Sequence, residues 1–284
     1  MSIVITAASG HLGRLAVLAV LGRGTTPGDI VAGARDLSKI ADLAERGVPT
    51  AVIDYDDPAT VEKAVSPGDV FVLVSGNDLA HRDRQHAQVI AAAVQAGAAR
   101  IVYTSGLKAD DTALAIAAMH LSTEDALRAA GVPFTILRNG WYSENYARDI
   151  PTVAQTGVLL SSTGHGTVAS ASRRDLAEAI AAVATTDGHH NATYELSGDT
   201  AWTYDDLATT LAEALGRQVT HHNVTTEEHR AILTGTGVPE QFVDMAVAVD
   251  AGLGAGAMGF RSGDLSRLIG RPTTPLIETL RTLV

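Results

Sequence analysis

The sequence contains no cysteine. Disulfides, thiolate metal sites and a cysteine nucleophile are therefore excluded. Positive charge is also short: 21 Lys and Arg stand against 32 Asp and Glu, a formal net charge of −11. Nucleic acids and anionic membranes are bound through excess positive charge, so neither is an expected partner. No apolar run approaches the roughly 20 residues that span a bilayer, and membrane insertion is not expected. The first residues carry neither the basic region nor the apolar core of a secretion signal. A cytoplasmic location is the default expectation. His189-His190 and His221-His222 are adjacent pairs, which point apart in regular structure, so no metal site is read. What the chain does have is apolar bulk. Hydrophobic residues are 46% of 284, enough for a sizeable core in one large domain or one and a half.

The most informative stretch is the first thirteen residues. Ser2 to Ile5 read as a short apolar strand, and Thr6 to Gly10 as a tight turn of small residues. From His11 the pattern is helical, with Leu12, Leu15, Ala16, Ala19 and Val20 on one face. Small residues at Ala7, Ala8, Ser9 and Gly10 let a pyrophosphate approach the backbone. Gly13 lets the helix pack on the strand, and the helix N-terminus, with His11 and Leu12, offers free N–H groups. Ala7 stands where a first glycine is usual. Alanine is poor at positive φ, so the turn is expected to use negative φ there. Strand, turn and helix in this order resemble the dinucleotide-binding fingerprint in its short-chain-dehydrogenase form.

Strand-like and helical runs alternate through the first half. Strands are expected at 30–34, 50–53, 70–74, 100–104 and 134–137. Helices are expected at 38–46, from Pro58 to about Val65, at 82–96 and at 120–130. Such spacing implies right-handed βαβ crossovers and a parallel sheet. Ligands then sit at the C-terminal strand ends, where Thr6, Arg35, Asp54, Ser75, Ser105 and Asn139 fall. Beyond Trp141 the pattern loosens. Residues 151–170 read as a loop or short hairpin, 175–185 as a helix and 193–196 as a seventh strand in the main sheet. Thr203 is a plausible N-cap, 218–221 a short strand, 226–250 helical, 251–264 a Gly-rich loop, and the C-terminus a final helix. The expected fold is α/β, a Rossmann-type doubly wound parallel sheet with a small, mostly helical C-terminal lobe. The dinucleotide-binding part is 1–142, rejoined by about 167–198. Residues 143–166 and 199–284 form the smaller lobe over the strand ends.

Arg35 ends the second strand, 22 residues after Gly13. An acidic residue there would hydrogen-bond a ribose 2′-hydroxyl, whereas an arginine attracts a 2′-phosphate. Asp36 follows it, and Lys39 could add positive charge. The reading is NADP(H) over NAD(H). The segment Asn139-Gly140-Trp141-Tyr142-Ser143-Glu144-Asn145 is polar and aromatic just past a buried strand. It is expensive to bury without partners, and a ligand would supply them.

The stretch from Leu137 to Tyr146, with Tyr103-Thr104-Ser105, Tyr194 to Asp199, Ala201-Trp202-Thr203, Leu268-Ile269-Gly270 and Pro272-Thr273-Thr274, carries a wider likeness. Over essentially its whole length the chain resembles the NmrA-like, atypical short-chain dehydrogenase/reductase group, and within it the bacterial type 2 NAD(P)H:quinone oxidoreductases. The resemblance implies an NADPH-binding Rossmann domain, a small C-terminal domain and reduction of a small-molecule quinone, and it leaves room for a homodimer. It implies that Ser75, Gly76 and Asn77 pass the nicotinamide ribose, and that Asn139, Trp141, Tyr142 and Asn145 line the nicotinamide and acceptor pocket. Arg173 is implied to lie near the cofactor.

The Tyr-x-x-x-Lys of short-chain dehydrogenases is missing. Its place carries His120-x-x-x-Glu124, on one helix face, a pair that could donate a proton at neutral pH. Two functions remain open at this point. One is an NADPH-dependent quinone reductase. The other is a non-catalytic, NAD(P)-sensing regulator, favoured by Ala7 and by the missing Tyr–Lys couple.

Overall fold

A computed structural model describes residues 1–284. Seven parallel strands form one sheet in the order β3-β2-β1-β4-β5-β6-β8. They are β1 (Ile3–Ile5), β2 (Ile30–Ala34), β3 (Thr50–Val52), β4 (Val70–Leu73), β5 (Arg100–Gly106), β6 (Phe134–Asn139) and β8 (Ala192–Leu196). The chain starts at β1, winds outward to β3, returns beside β1 and winds the other way. The reversal between β1 and β4 opens the crevice in which such sheets bind ligands.

Side-chain alternation along the strands builds two core layers. Ile3 and Ile5 point to one face, where they pack with Ala16, Val17 and Val20 of α1 (His11–Gly22) and with Leu176 and Ile180 of α8 (Arg173–Thr185). Val4 points to the other, with Phe71, Leu73, Ile101 and Tyr103. That second layer is covered by α3 (Pro58–Ala64), α4 (Arg82–Gln95) and α6 (Leu121–Ala129), through Val61, Val89, Ile90 and Leu127. Between them in sequence lie the short α2 (Ala41–Glu45) and α5 (Ala115–Ala118).

A third apolar cluster joins Leu107, Tyr146, Val168, Trp202, Tyr204, Leu253 and Leu280. It gathers α7 (Ile150–Thr156), α9 (Tyr204–Leu215), α11 (Glu240–Gly254) and α13 (Leu276–Arg281) around a two-stranded sheet of β7 (Val158–Ser161) and β9 (Thr220–Asn223), while α10 (Thr226–Gly235) packs on α11 and α12 (Asp264–Ile269) lies on α8 and β8 with Leu265 in the first layer. No helix is long and apolar enough to cross a membrane.

Three expectations are corrected here. Residues 151–170 are not a loop or hairpin: α7 runs to Thr156, Gly157 ends it at φ 72°, and β7 then pairs parallel with β9, which no hairpin does. The helical stretch 226–250 is two helices, because Gly237 at φ 81° and Pro239 interrupt it. The C-terminal helix is likewise split, by Gly270 at φ 72° and the two prolines after it.

Candidate active site

The turn after β1 is anchored from both sides. Thr6 N–H donates to Val72 O at 3.1 Å, and Ala8 N–H to Gly33 O at 2.8 Å. Ala7 between them has φ 51°, not the negative φ expected, because the next step of the turn needs its carbonyl in a fixed place. Gly10 N–H donates to that carbonyl at 2.9 Å. Gly13 lies so close that a Cβ there would come within 2.3 Å of Ala7 O. The helix thus starts tight against the turn. Gly10 is its N-cap, with no side-chain capping bond and no acidic residue in the first turn. The first amide to find a helical partner is that of Arg14, on Gly10 O at 3.0 Å. Uncapped N–H groups and the positive end of the helix dipole make this an anion site.

A cleft of about 260 Å³ opens beside the turn, lined by Ala7, Ser9, Gly10, Arg35, Ser75, Gly76 and Asn77 together with Asp54, Tyr55 and Asp56. Arg35 is exposed on it. Asp36 is occupied elsewhere, accepting from Ser38 N–H at 3.0 Å and Ser38 Oγ at 2.6 Å, so it caps its own turn. Lys39 gives its carbonyl to Arg14. Thr6 turns inward. Its hydroxyl lies 2.5 Å from Tyr55 Oη and accepts from Val74 N–H at 3.0 Å, while Tyr55 O–H donates to Val74 O at 2.6 Å. This closed ring of three bonds pins the ends of β1 and β4. A second, larger groove of about 590 Å³ lies between α1 and α8, lined by Leu15, Leu18, Ala19, Ala177 and Ile269 with Arg23, Arg174 and Glu178. It is away from the strand ends, so the reading of function rests on the smaller cleft.

Past β6 the polar segment is folded onto α8. Arg173 N–H donates to the Glu144 carboxylate at 2.8 Å, its guanidinium to Asn145 Oδ1 at 3.1 Å, and it stacks 4.6 Å from the Tyr142 ring centroid. Asn139, Tyr142, Asn145 and Arg173 are therefore one group. Asn139 Nδ2 lies 3.5 Å from Tyr142 Oη, but Asn139 Oδ1 is buried with no donor, as is the N–H of Trp141 with no acceptor. Unpaired buried polar atoms are costly. Two in one short segment fit a site completed by a ligand.

His120 and Glu124 do not act as a pair. Glu124 is fully buried and takes a bidentate Arg138 at 2.8 and 2.7 Å, Arg128 at 2.8 Å and Ser105 Oγ at 2.6 Å. His120 instead lies 2.7 Å through Nδ1 from Tyr103 Oη and 3.4 Å through Nε2 from an Arg82 amino group. Burial, then the adjacent Arg82 and His86, push its pKa down to about 3. The imidazole is neutral at physiological pH and both nitrogens are engaged, which contradicts the expected proton-donating pair. Ser105 is likewise drawn inward to Glu124.

The fit to a dinucleotide is thus carried by the uncapped amides, the glycine at the N-cap, and a cationic residue at the end of β2. A family model described as NAD(P)H-binding matches residues 7–187, well over half the chain. The chain belongs to the NAD(P)H-binding family. Among curated relatives, quinone oxidoreductase 2 of Escherichia coli is 39% identical over 98% of this chain and 97% of its own length. The crystal structure of that NADPH-dependent quinone oxidoreductase with NADPH superposes with a TM-score of 0.93 over 99% of both chains. The Citrobacter sp. triphenylmethane reductase complexed with NADP(H) does so with the same TM-score, 35% identity and full coverage of both chains.

Several features of this family member were not foreseen from sequence. Tyr55 lines the cleft and ties β1 to β4, yet its surroundings in sequence are a plain acidic turn. Asp175 is buried and accepts from Arg271 and from the amide and hydroxyl of Thr274. Asp199 and Thr273 bond reciprocally at 2.8 and 2.9 Å. These bonds give the C-terminal Arg-Pro-Thr-Thr run a structural purpose, fastening it to α8 and to the loop after β8.

Proposed function

We propose that the protein is an NADPH-dependent reductase that passes hydride to quinones. One observation carries the reading: the likeness to a quinone oxidoreductase spans nearly the whole chain, and the strand-end row of this chain runs from the uncapped amides at Gly10 past Arg35 and Gly76 to the unpaired buried polar atoms at Asn139 and Trp141. Gly10, with the amides of His11 and Leu12, holds the pyrophosphate. Arg35 meets the 2′-phosphate, and Ser75, Gly76 and Asn77 follow the nicotinamide ribose. Asn139, Tyr142, Asn145 and Arg173 line the nicotinamide and the acceptor, with Trp141 as a wall. The smaller lobe, 143–166 and 199–284, closes the acceptor side. A bound NADPH supplies the hydride, and the chain's part is to orient the quinone ring and keep water from the transfer.

The test is steady-state oxidation of NADPH with a benzoquinone, run beside NADH. Turnover with NADPH supports the reading. Tight NADPH binding with no turnover on any quinone would favour a sensor. Arg35→Ala addresses cofactor choice: a charge-assisted pair contributes about 1.5–3 kcal/mol, roughly 10- to 100-fold in affinity. Calorimetric titration should show that loss for NADPH and little change for NADH, whereas equal affinities in the wild type would remove Arg35 from the role.

A further inference from the structure

Behind the strand-end row lies a buried cluster that the proposed reaction does not yet use. Arg82 opens α4 and is only 3% exposed. It makes no ion pair, and its Nε and one of its amino groups have no hydrogen-bond partner. Its other amino group faces His120 Nε2 at 3.4 Å. A cation at the N-terminal end of a helix opposes the helix dipole, and a buried charge without a counter-ion is expensive. The only other buried arginine with unpaired nitrogens, Arg100, has an evident structural use, donating at 2.6 Å to Val183 O in the last turn of α8. Arg82 has none.

The surroundings direct its charge toward the acceptor space. His86, one turn along α4, accepts from Gly76 N–H at 3.1 Å through Nε2 and donates from Nδ1 to Thr123 at 3.0 Å, so it is neutral. Its ring packs edge-on against Tyr103, and Tyr103 packs on His120. Two glycines of the strand ends lie against this cluster: a Cβ on Gly106 would come within 3.1 Å of Ala117 Cα and 3.2 Å of His120 Cδ2, and one on Gly76 within 3.4 Å of Tyr55 Cδ2 and 3.6 Å of His86 Nε2. Gly76 lines the cleft, and Gly106 is the register partner of Asn139. Of the acidic groups beside the cluster, Glu124 is consumed by Arg138, Arg128 and Ser105, and Asp83 is exposed on α4.

We propose that Arg82, held against His120, is a positioning residue that adds a buried, fixed positive charge behind the acceptor site, stabilising the oxyanion that forms on the quinone. The proposal rests on the quinone reading. In the step, one C–H bond of the dihydronicotinamide breaks with its electron pair, the quinone gains the hydride and becomes a hydroquinone monoanion, and a solvent proton then completes the hydroquinone. The oxidised cofactor keeps the balance. Arg82 touches neither reactant. It acts in a low-dielectric setting, where a fixed charge is worth more than in water.

The experiment uses a series of quinones graded by the acidity of their hydroquinones, with wild type, Arg82→Met and Arg82→Lys. Loss of the cation should lower kcat about tenfold to a hundredfold for acceptors with the most basic products, and by under about threefold for those with the most acidic. Arg82→Lys should recover much of the loss. By NMR, His120 should begin to titrate at higher pH in Arg82→Met than in wild type, and NADPH affinity should not change. A uniform loss across the series, no loss, or an unchanged His120 titration overturns the proposal while leaving the quinone reading intact. A wild type that binds NADPH yet reduces no member of the series overturns the quinone reading and this proposal with it.

Discussion

Ala7 accepts a backbone conformation that alanine disfavours, φ 51°. The run Thr-Ala-Ala-Ser-Gly announces a tight turn of small residues, but composition does not carry the sign of φ. That sign is set by partners outside the run: Gly33 O, which takes the Ala8 amide, and helix α1, which needs Gly13 against the Ala7 carbonyl. A left-handed conformation costs an L-residue about 1–2 kcal/mol, and glycine would return about 0.5–1 kcal/mol of that as chain entropy. Ala7→Gly should therefore raise stability by about 0.5–1 kcal/mol, read as a higher Tm with NADPH affinity maintained. The two glycines of the motif should separate cleanly. Gly10 has φ −88° and a Cβ there would lie 3.3 Å from Ala7 O, so Gly10→Val should fold and lose cofactor, its side chain filling the anion site. Gly13→Ala places a Cβ 2.3 Å from the same oxygen and should unfold the turn itself. Circular dichroism with calorimetric NADPH titration distinguishes the two outcomes, and normal binding by a folded Gly10→Val would make the turn structural only.

Among the elements, those fixed by local chemistry are the ones legible in sequence. Thr203-x-x-Asp206 marks the start of α9, and the structure forms the full capping box there, each side chain bonded to the other's amide. Thr203→Ala should cost about 1 kcal/mol, measured by urea denaturation. Elements defined by distant partners are not legible in this way. β7 and β9 pair residues 62 positions apart, and Val158 to Ser161 alone does not specify that partner. The same holds for α6. Its His120–Glu124 spacing suggests a pair, but Glu124 is drawn instead to Arg138 on β6, which also holds Asp110 at 2.8 Å and Glu195 of β8 at 2.9 Å. Burial opposes ionisation of Glu124, yet the bonds from Arg138, Ser105 and Arg128 outweigh it and hold its pKa below the ordinary value. A lowered folded pKa means stability that is complete above the unfolded value, about 4.3, and lost as pH falls through the folded one. Glu124→Gln should cost about 3 kcal/mol near neutrality. The deficit relative to wild type should stay constant from pH 8 to about 5 and shrink only under about pH 4. A deficit that shrinks between pH 7 and 5 would contradict the ion-pair account.

At the scale of the whole molecule, the missing Tyr-x-x-x-Lys and the buried His120 bear on which acceptors the enzyme can reduce. Hydride addition to a ketone leaves an alkoxide, a base comparable to hydroxide, whose conjugate acid water has a pKa of about 15.7. That step needs a well-placed acid in the transition state, which is worth about 10²–10⁴-fold. Both imidazole nitrogens of His120 are engaged and the ring is neutral, so the position that usually holds the acid offers none. Hydride transfer to a quinone leaves a phenolate-like anion, and a phenol such as tyrosine titrates near about 10. The product is far less basic, and hydrogen-bond donors with a fixed charge suffice to stabilise it. On the proposed assignment, the enzyme's main contribution is to hold the ring against the nicotinamide face, at the group formed by Asn139, Tyr142, Asn145 and Arg173. The expected outcome is ready NADPH oxidation with benzoquinones or naphthoquinones and slow turnover of ketones and aldehydes. His120→Ala should lose about tenfold or less with a quinone, whereas Gly140→Ala, whose Cβ would meet Leu196 O at 2.9 Å, should cost far more by displacing the neighbouring Asn139 and Trp141. Measured rates on a matched panel decide it. Strong ketone turnover that disappears in His120→Ala would mean that the buried imidazole is released and protonated during the reaction, and the selectivity argued from its neutral, fully bonded state would fail.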